Sequence, residues 1–176
     1  MDKGIMSYLK LFVVAFFALL HKFKFVDNTQ LKLVAVYLLL RGKPFSVLKE
    51  RSHKFVKGII LNNLTDDFKD NSDCEIYIVS ASFDFAIRGL FSPEILVIGS
   101  SLNVIDGFIS GLKENCYGAR KVKRLAELGV HEVDILFTDS LNDIPLAQIS
   151  KEIRFVRSGY FKTFSRAEFF NKNARS

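Results

Sequence analysis

Three polar clusters in this chain have the residue types, order and spacing that phosphoryl chemistry requires. Ser80-Ala81-Ser82 directly follows a β-branched run, Lys121 stands near the start of a basic amphipathic segment, and Asp139-Ser140-Leu141-Asn142-Asp143 directly follows a second β-branched run. Two carboxylates four residues apart beyond a strand can offer oxygen ligands to a hard cation such as Mg²⁺. A hydroxyl can donate to a phosphoryl oxygen, and a lysine can neutralise charge on it. Each piece alone has a plainer meaning. A D-x-x-x-D string usually caps a helix, a serine after a strand is commonplace, and a lysine in a basic helix is normally solvated. The order of the three raises the joint case.

These side chains need elements that converge. Residues 75–80, 95–98, 102–105 and 134–138 read as short strands, with 153–156 a last one. Asp106-Gly107 is a hairpin turn signal, and residues 118–129 have the period of an amphipathic helix. Strands alternating with helices predict an α/β fold with a parallel sheet, and open sheets of that kind place ligands at the carboxyl ends of strands. Residues 1–72 have a different texture. They read as helices over 5–24, from a cap at Asn28 or Thr29 to Leu40, and over 45–61, followed by a polar connection at 62–73. The expected division is an all-helical segment at 1–72 and an α/β core at 73–176. The tail from Lys162 reads as loosely organised.

Charge is unevenly spread over the 176 residues, whose net charge is +6. Residues 1–57 hold 11 Lys/Arg against 3 Asp/Glu, and the remainder 14 against 16. A basic half suggests an anionic partner, or simply a solvated basic face. The basic residues lie on hydrophobic helices without a recognised nucleic-acid motif, so nucleic acid is not the expected partner. The apolar run Leu11–Leu20 ends in His21-Lys22-Phe23-Lys24 rather than a small-residue cleavage site, which argues against a signal peptide. It is shorter than the roughly 20 residues that span a bilayer. It reads as a buried or interfacial helix, with peripheral membrane contact through 7–24 left open. Cys74 and Cys116 form no C-x-x-C pair and fit a reduced, cytoplasmic protein.

The strings IYIVSAS, NCYGARKVKRLAEL and FTDSLNDIPLA resemble the second, third and fourth motifs of the haloacid dehalogenase superfamily, and of its phosphoserine phosphatase-like branch with a helical cap. VIGSSLNVIDGFISG, between the first two, follows that branch as well, so the resemblance runs from about residue 25 to residue 157. It implies that Ser80, with Ala81, binds the phosphoryl group and that Lys121 stabilises it. It implies that Asp139 ligates Mg²⁺, that Asp143 ligates it or orients Lys121, and that the helical segment is a cap over a phosphorylated metabolite or lipid head group. Thr138 stands where the branch commonly has glycine.

The family's first motif, D-x-D-x-T, supplies the aspartate nucleophile and is absent from this sequence. Phe25-Val26-Asp27-Asn28-Thr29 lacks the second aspartate and reads as a helix start. In such a fold the first-motif strand lies between those ending at Ser80 and Asp139. Its loss should leave a slot about 10 Å wide between them, force a rearranged sheet, or call for a strand from a donor or oligomer partner. Two functions remain at this level: a Mg²⁺-dependent phosphomonoester hydrolase of the aspartyl-phosphate type, present as an N-terminally truncated or degenerate chain and inactive as given, or a non-catalytic phosphate- or metal-binding interaction module.

Overall fold

A computed structural model describes residues 3–56, 58, 74–157 and 160–173. Helix α1 (Lys3–Lys22) opens the chain. It ends where Lys24 turns left-handed at φ 64°, so that the Phe25 amide reaches back to the Leu20 carbonyl at 2.9 Å. Helix α2 (Asn28–Ala35) starts at a capping box one residue earlier than the sequence suggests. The Asp27 carboxylate accepts from the Gln30 amide at 2.7 Å, and the Gln30 side chain accepts from the Asp27 amide at 2.8 Å. Its continuation, Val36–Leu40, widens into a π-helical turn, and α3 spans Phe45–Val56. Residues 57 and 59–61 of the expected third helix and the whole polar connection at 62–73 fall outside the described residues.

Two expectations for the N-terminal helix are corrected. Lys3, Ser7 and Lys10 continue the helix beyond the apolar run, so it is long and apolar enough over Gly4–Lys22 to cross a membrane. Nor is it buried, since no side chain described in that window is enclosed by the protein.

Strand β1 (Tyr77–Phe83) pairs parallel with β2 (Leu96–Ile105), a single strand covering both predicted runs. The register slips between Val79 and Phe83, where β1 folds closely over Gly99 on its way into the short α4 (Asp84–Ile87). A methyl on Gly99 would lie 2.6 Å from the Asp84 amide nitrogen, so only glycine fits that crossing. Asp106 and Gly107, at φ 50° and 81°, make the tight turn into antiparallel β3 (Phe108–Glu114). The helical segment is stitched to this hairpin: the Gly42 amide donates to Ile109 O at 2.8 Å and the Ile109 amide to Lys43 O at 3.0 Å. Val36, Leu102 and Ile109 form the shared core beneath.

After α5 (Ala119–Ala126), strand β4 (Val133–Thr138) pairs parallel with β5 (Ser150–Arg157), with the short α6 (Ile144–Gln148) between them. The tail is ordered rather than loose. Strand β6 (Tyr160–Ser165) adds antiparallel to β5, and α7 (Arg166–Asn173) packs Phe169 into a cluster with Ala147 and Ile153. Arg166 anchors that turn by donating to Ser150 O at 2.7 Å. A lone stretch of mixed aromatics and lysines gave no clean alternation, which is why its pairing with β5 was not visible in sequence.

The α/β expectation holds, but the described strands make two sheets, ordered β1-β2-β3 and β4-β5-β6, each with two parallel strands and one antiparallel. Between their facing edges lies a cavity of about 1070 Å³, walled by residues 74–79 on one side and 131–137 on the other. A core of Ile98, Cys116, Leu125 and Leu146 joins the two sheets beside it, with Val79, Val122 and Leu136 packed against it.

Candidate functional site

Asp143, which lines the cavity, belongs to a buried ion pair. Gly118 enters α5 at φ 57° and ψ −131°, a conformation open to glycine, and the Lys121 amide bonds its carbonyl at 3.0 Å. That turn sends Lys121 inward while Arg120 and Lys123 stay in solvent. The Lys121 ammonium donates to Asp143 Oδ1 at 2.5 Å, with both side chains almost fully enclosed. The other carboxylate oxygen accepts from the Thr138 hydroxyl at 2.8 Å, and that hydroxyl in turn accepts from the Ser140 amide at 3.1 Å. Thr138 therefore fills the position commonly held by glycine with a group that clamps Asp143. Sequence reading treated it only as a departure. The usable signal was a hydroxyl residue at the end of a strand five positions before an acid.

Asp139 projects into solvent from the loop after β4, between the buried Thr138 and the Ser140 hydroxyl that accepts from the Asn142 amide at 3.2 Å. Ser80 lies at the irregular end of β1, its hydroxyl accepting from the Ser82 amide at 3.1 Å. It follows Val79, which packs in the same core cluster as Val122, next in sequence to Lys121, and Leu146, three residues beyond Asp143. Ser80 thus adjoins, through Val79, the core against which α5 and α6 pack. Lys121 and Asp143 touch directly.

A second lysine lies close by and was not singled out in the sequence. Lys32, on α2, donates to the Ala81 carbonyl, to Ser100 Oγ at 2.8 Å and to Asn115 Oδ1 at 2.7 Å. The Asn115 amide group donates to Thr29 Oγ1 at 2.9 Å, and Ser100 Oγ accepts from the Cys116 amide at 3.0 Å. Burial, opposed by Cys116 and reinforced by the positive charge of Lys121, holds the Lys32 ammonium below its ordinary value. The Cys116 thiol is pushed up by its own burial, against the pull of Lys121, Arg124 and Lys32. The helical segment therefore reaches the site through one cation, planted on the carbonyl next to Ser80. A lysine in an apolar helix has no local sequence mark that distinguishes this role from a solvated one.

For a metal, the described residues contain no group of three or more His, Cys, Asp or Glu side chains able to hold an ion. Asp143 already spends both oxygens on Lys121 and Thr138. Asp139 is the carboxylate left for a cation, and by itself it does not make a Mg²⁺ site. Mg²⁺ characteristically keeps several waters and binds through one or two carboxylates and a phosphate.

The structure joins Lys121 to Asp143 in an enclosed pair beyond β4, while Ser80 stands in the irregular part of β1. Residues 15–148 match the family described as haloacid dehalogenase-like hydrolase, and the chain belongs to that family. Among solved structures, cytosolic 5'-nucleotidase IIIB bound to cytidine is similar at 14% sequence identity and a TM-score of 0.48. The match covers 85% of this chain and 57% of that one, so this chain spans little more than half of that structure's length. Comparison with curated proteins gave no match.

Proposed function

We propose that residues 73–176 form the phosphoryl-binding part of a phosphomonoester hydrolase of the aspartyl-phosphate type, in the phosphoserine phosphatase-like branch, with residues 1–72 as its cap. The observation that supports this most is the Lys121–Asp143 pair, whose aspartate lines the cavity between β1 and β4. Two strand edges facing one another across such a space leave room for a further strand, and a D-x-D-x-T strand seated there would bring its first aspartate to the end where Lys121 stands. That strand would come from outside these 176 residues.

In this reading the Ser80 hydroxyl and the backbone at Ala81 hold the phosphoryl oxygens, and the Lys121 ammonium balances their charge. Asp143, clamped by Thr138, keeps Lys121 aimed. Asp139 would contribute one ligand to Mg²⁺, whose chemistry when bound is to draw charge from the phosphoryl oxygens. The strand's carboxylate would form the new bond to phosphorus as the ester oxygen leaves, and water would then cleave the acyl phosphate. The chain alone, lacking that carboxylate, does not turn over. Its substrate would be a phosphorylated metabolite or lipid head group, met on the cytoplasmic side.

The test compares p-nitrophenyl phosphate hydrolysis by the chain as given with the same chain extended at its N-terminus by a strand ending in D-x-D-x-T. Only the extended form should hydrolyse, with Mg²⁺ present, and Lys121→Met or Asp139→Asn should abolish the rate. Turnover by the unextended chain that survives both substitutions would overturn the proposal. A folded extended chain that binds inorganic phosphate without turnover would instead favour the non-catalytic module.

A further inference from the structure

Helix α1 carries an apolar surface that stays exposed among the described residues. Ile5, Tyr8, Phe12, Phe16, Leu19 and Phe23 recur at intervals of three and four residues and so share one side of the helix. Each is between 50% and 75% exposed. Phe23 continues the stripe because its amide still bonds the Leu19 carbonyl at 3.2 Å. The partly enclosed positions Met6, Val13, Phe17 and Leu20 lie on a different side, and α1 packs along α2 and the π-helical turn. Contiguous apolar stripes of this length on a monomer mark a surface made for another phase or molecule.

Charge says which. Residues 3–26 contain Lys3, Lys10, Lys22 and Lys24 and no Asp or Glu. Lys10 is two residues, about 200° of helical turn, from Phe12, and so faces away from the stripe. A helix with large apolar side chains on one side and lysines beside and beyond it matches an anionic lipid surface, where rings enter the acyl boundary and ammonium groups meet head-group phosphates. We propose that α1 docks the protein on an anionic bilayer, lying in the plane of the interface with the Ile5–Phe23 stripe inserted.

A flat orientation follows from what holds the other side. α2, against which α1 packs, is tied to the α/β core by Lys32 and carries the Asp27 and Gln30 capping pair in solvent. To cross the membrane, α1 would have to leave α2 or take that carboxylate and amide into hydrocarbon. The orientation also does not depend on the hydrolase reading, because α1 would dock whether or not the cavity between the sheets is filled.

Vesicle flotation of the full chain tests this. The protein should float with phosphatidylcholine vesicles containing about a third phosphatidylglycerol, at least ten-fold more than with phosphatidylcholine alone. Phe12→Ser combined with Phe16→Ser should cut flotation at least ten-fold while leaving the circular dichroism spectrum and melting temperature unchanged. Lys10→Glu with Lys22→Glu should remove the preference for anionic vesicles. Wild type that stays at the bottom with every vesicle overturns the proposal, as does undiminished flotation of the Phe double variant. So does protein that resists extraction by alkaline carbonate, which would place α1 across the bilayer. Self-association lost with the Phe substitutions, in protein that ignores vesicles, would assign the stripe to a second copy instead.

Discussion

Helices α1 and α5 invert the usual relation between composition and burial. α1 has 20 residues, most of them apolar, and none of its described side chains is fully enclosed. α5 has eight residues, four of them charged, and buries Lys121 and Leu125. The difference lies in what surrounds each helix. α5 is set between two sheets by the Gly118 turn, so its inward side meets Cys116, Ile98 and Leu146 as well as Asp143. Among the described residues, α1 packs along α2 and the π-helical turn that continues it. Apolar content alone states that a helix wants to leave water, and position in the fold decides whether protein or another phase receives it.

The sharpest way to break the comparison is Lys121→Met in α5. It should destabilise the protein by about 3–5 kcal/mol in urea unfolding, because Asp143 is left buried with only the Thr138 hydroxyl. Adding Asp143→Leu should restore most of the loss, and failure to do so would mean that the pair is more than a mutual neutralisation. Next is Leu125→Ala, expected to cost about 2–5 kcal/mol through the void beside Ile98 and Leu146. The same truncation at Leu19 in α1 should cost far less, and equal costs would erase the contrast between the helices.

Lys32 tests the junction of the two regions. Lys32→Met should cost about 2 kcal/mol at neutral pH by removing charge-assisted bonds to Ser100 and Asn115. Because its folded value lies below the ordinary 10.5, the native state gives up this proton at lower pH than the unfolded chain. The wild type should therefore gain stability over Lys32→Met as pH rises through the depressed value toward 10.5. Urea midpoints of the two proteins at pH 7 and pH 10 would show the gap widening, and a narrowing gap would contradict the sign. The smallest effect is expected for Phe12→Ser, within about 0.5 kcal/mol by thermal melting, since that ring touches little within the protein.

Much of the fold was legible locally. The helix start at 27–29, the Asp106-Gly107 turn and the β-branched runs that became β1, β2 and β4 carry short-range signals that need no partner to be read, although the cap falls on Asp27 rather than on Asn28 or Thr29. The motif residues Ser80, Lys121, Asp139 and Asp143 stood out by order and spacing. Strand β6 and helix α7 did not, because their patterns make sense only against β5 and the Phe169 pocket. Thr138 and Lys32 were equally silent, since a hydroxyl or an ammonium acquires a role only when a distant acceptor is brought to it.

The sequence by itself determined most of the succession of helices and strands as far as β5, the basic character of the first third and the candidate residues Ser80, Lys121, Asp139 and Asp143. Only the tertiary structure decided that the strands divide into two sheets around a cavity, that Lys121 neutralises Asp143 while Asp139 stays free, and that the most apolar helix is left uncovered. The physical reason is range. Backbone dihedral preference and side-chain period act over a few residues, whereas strand pairing, burial and ion pairing depend on groups tens of residues apart in the chain.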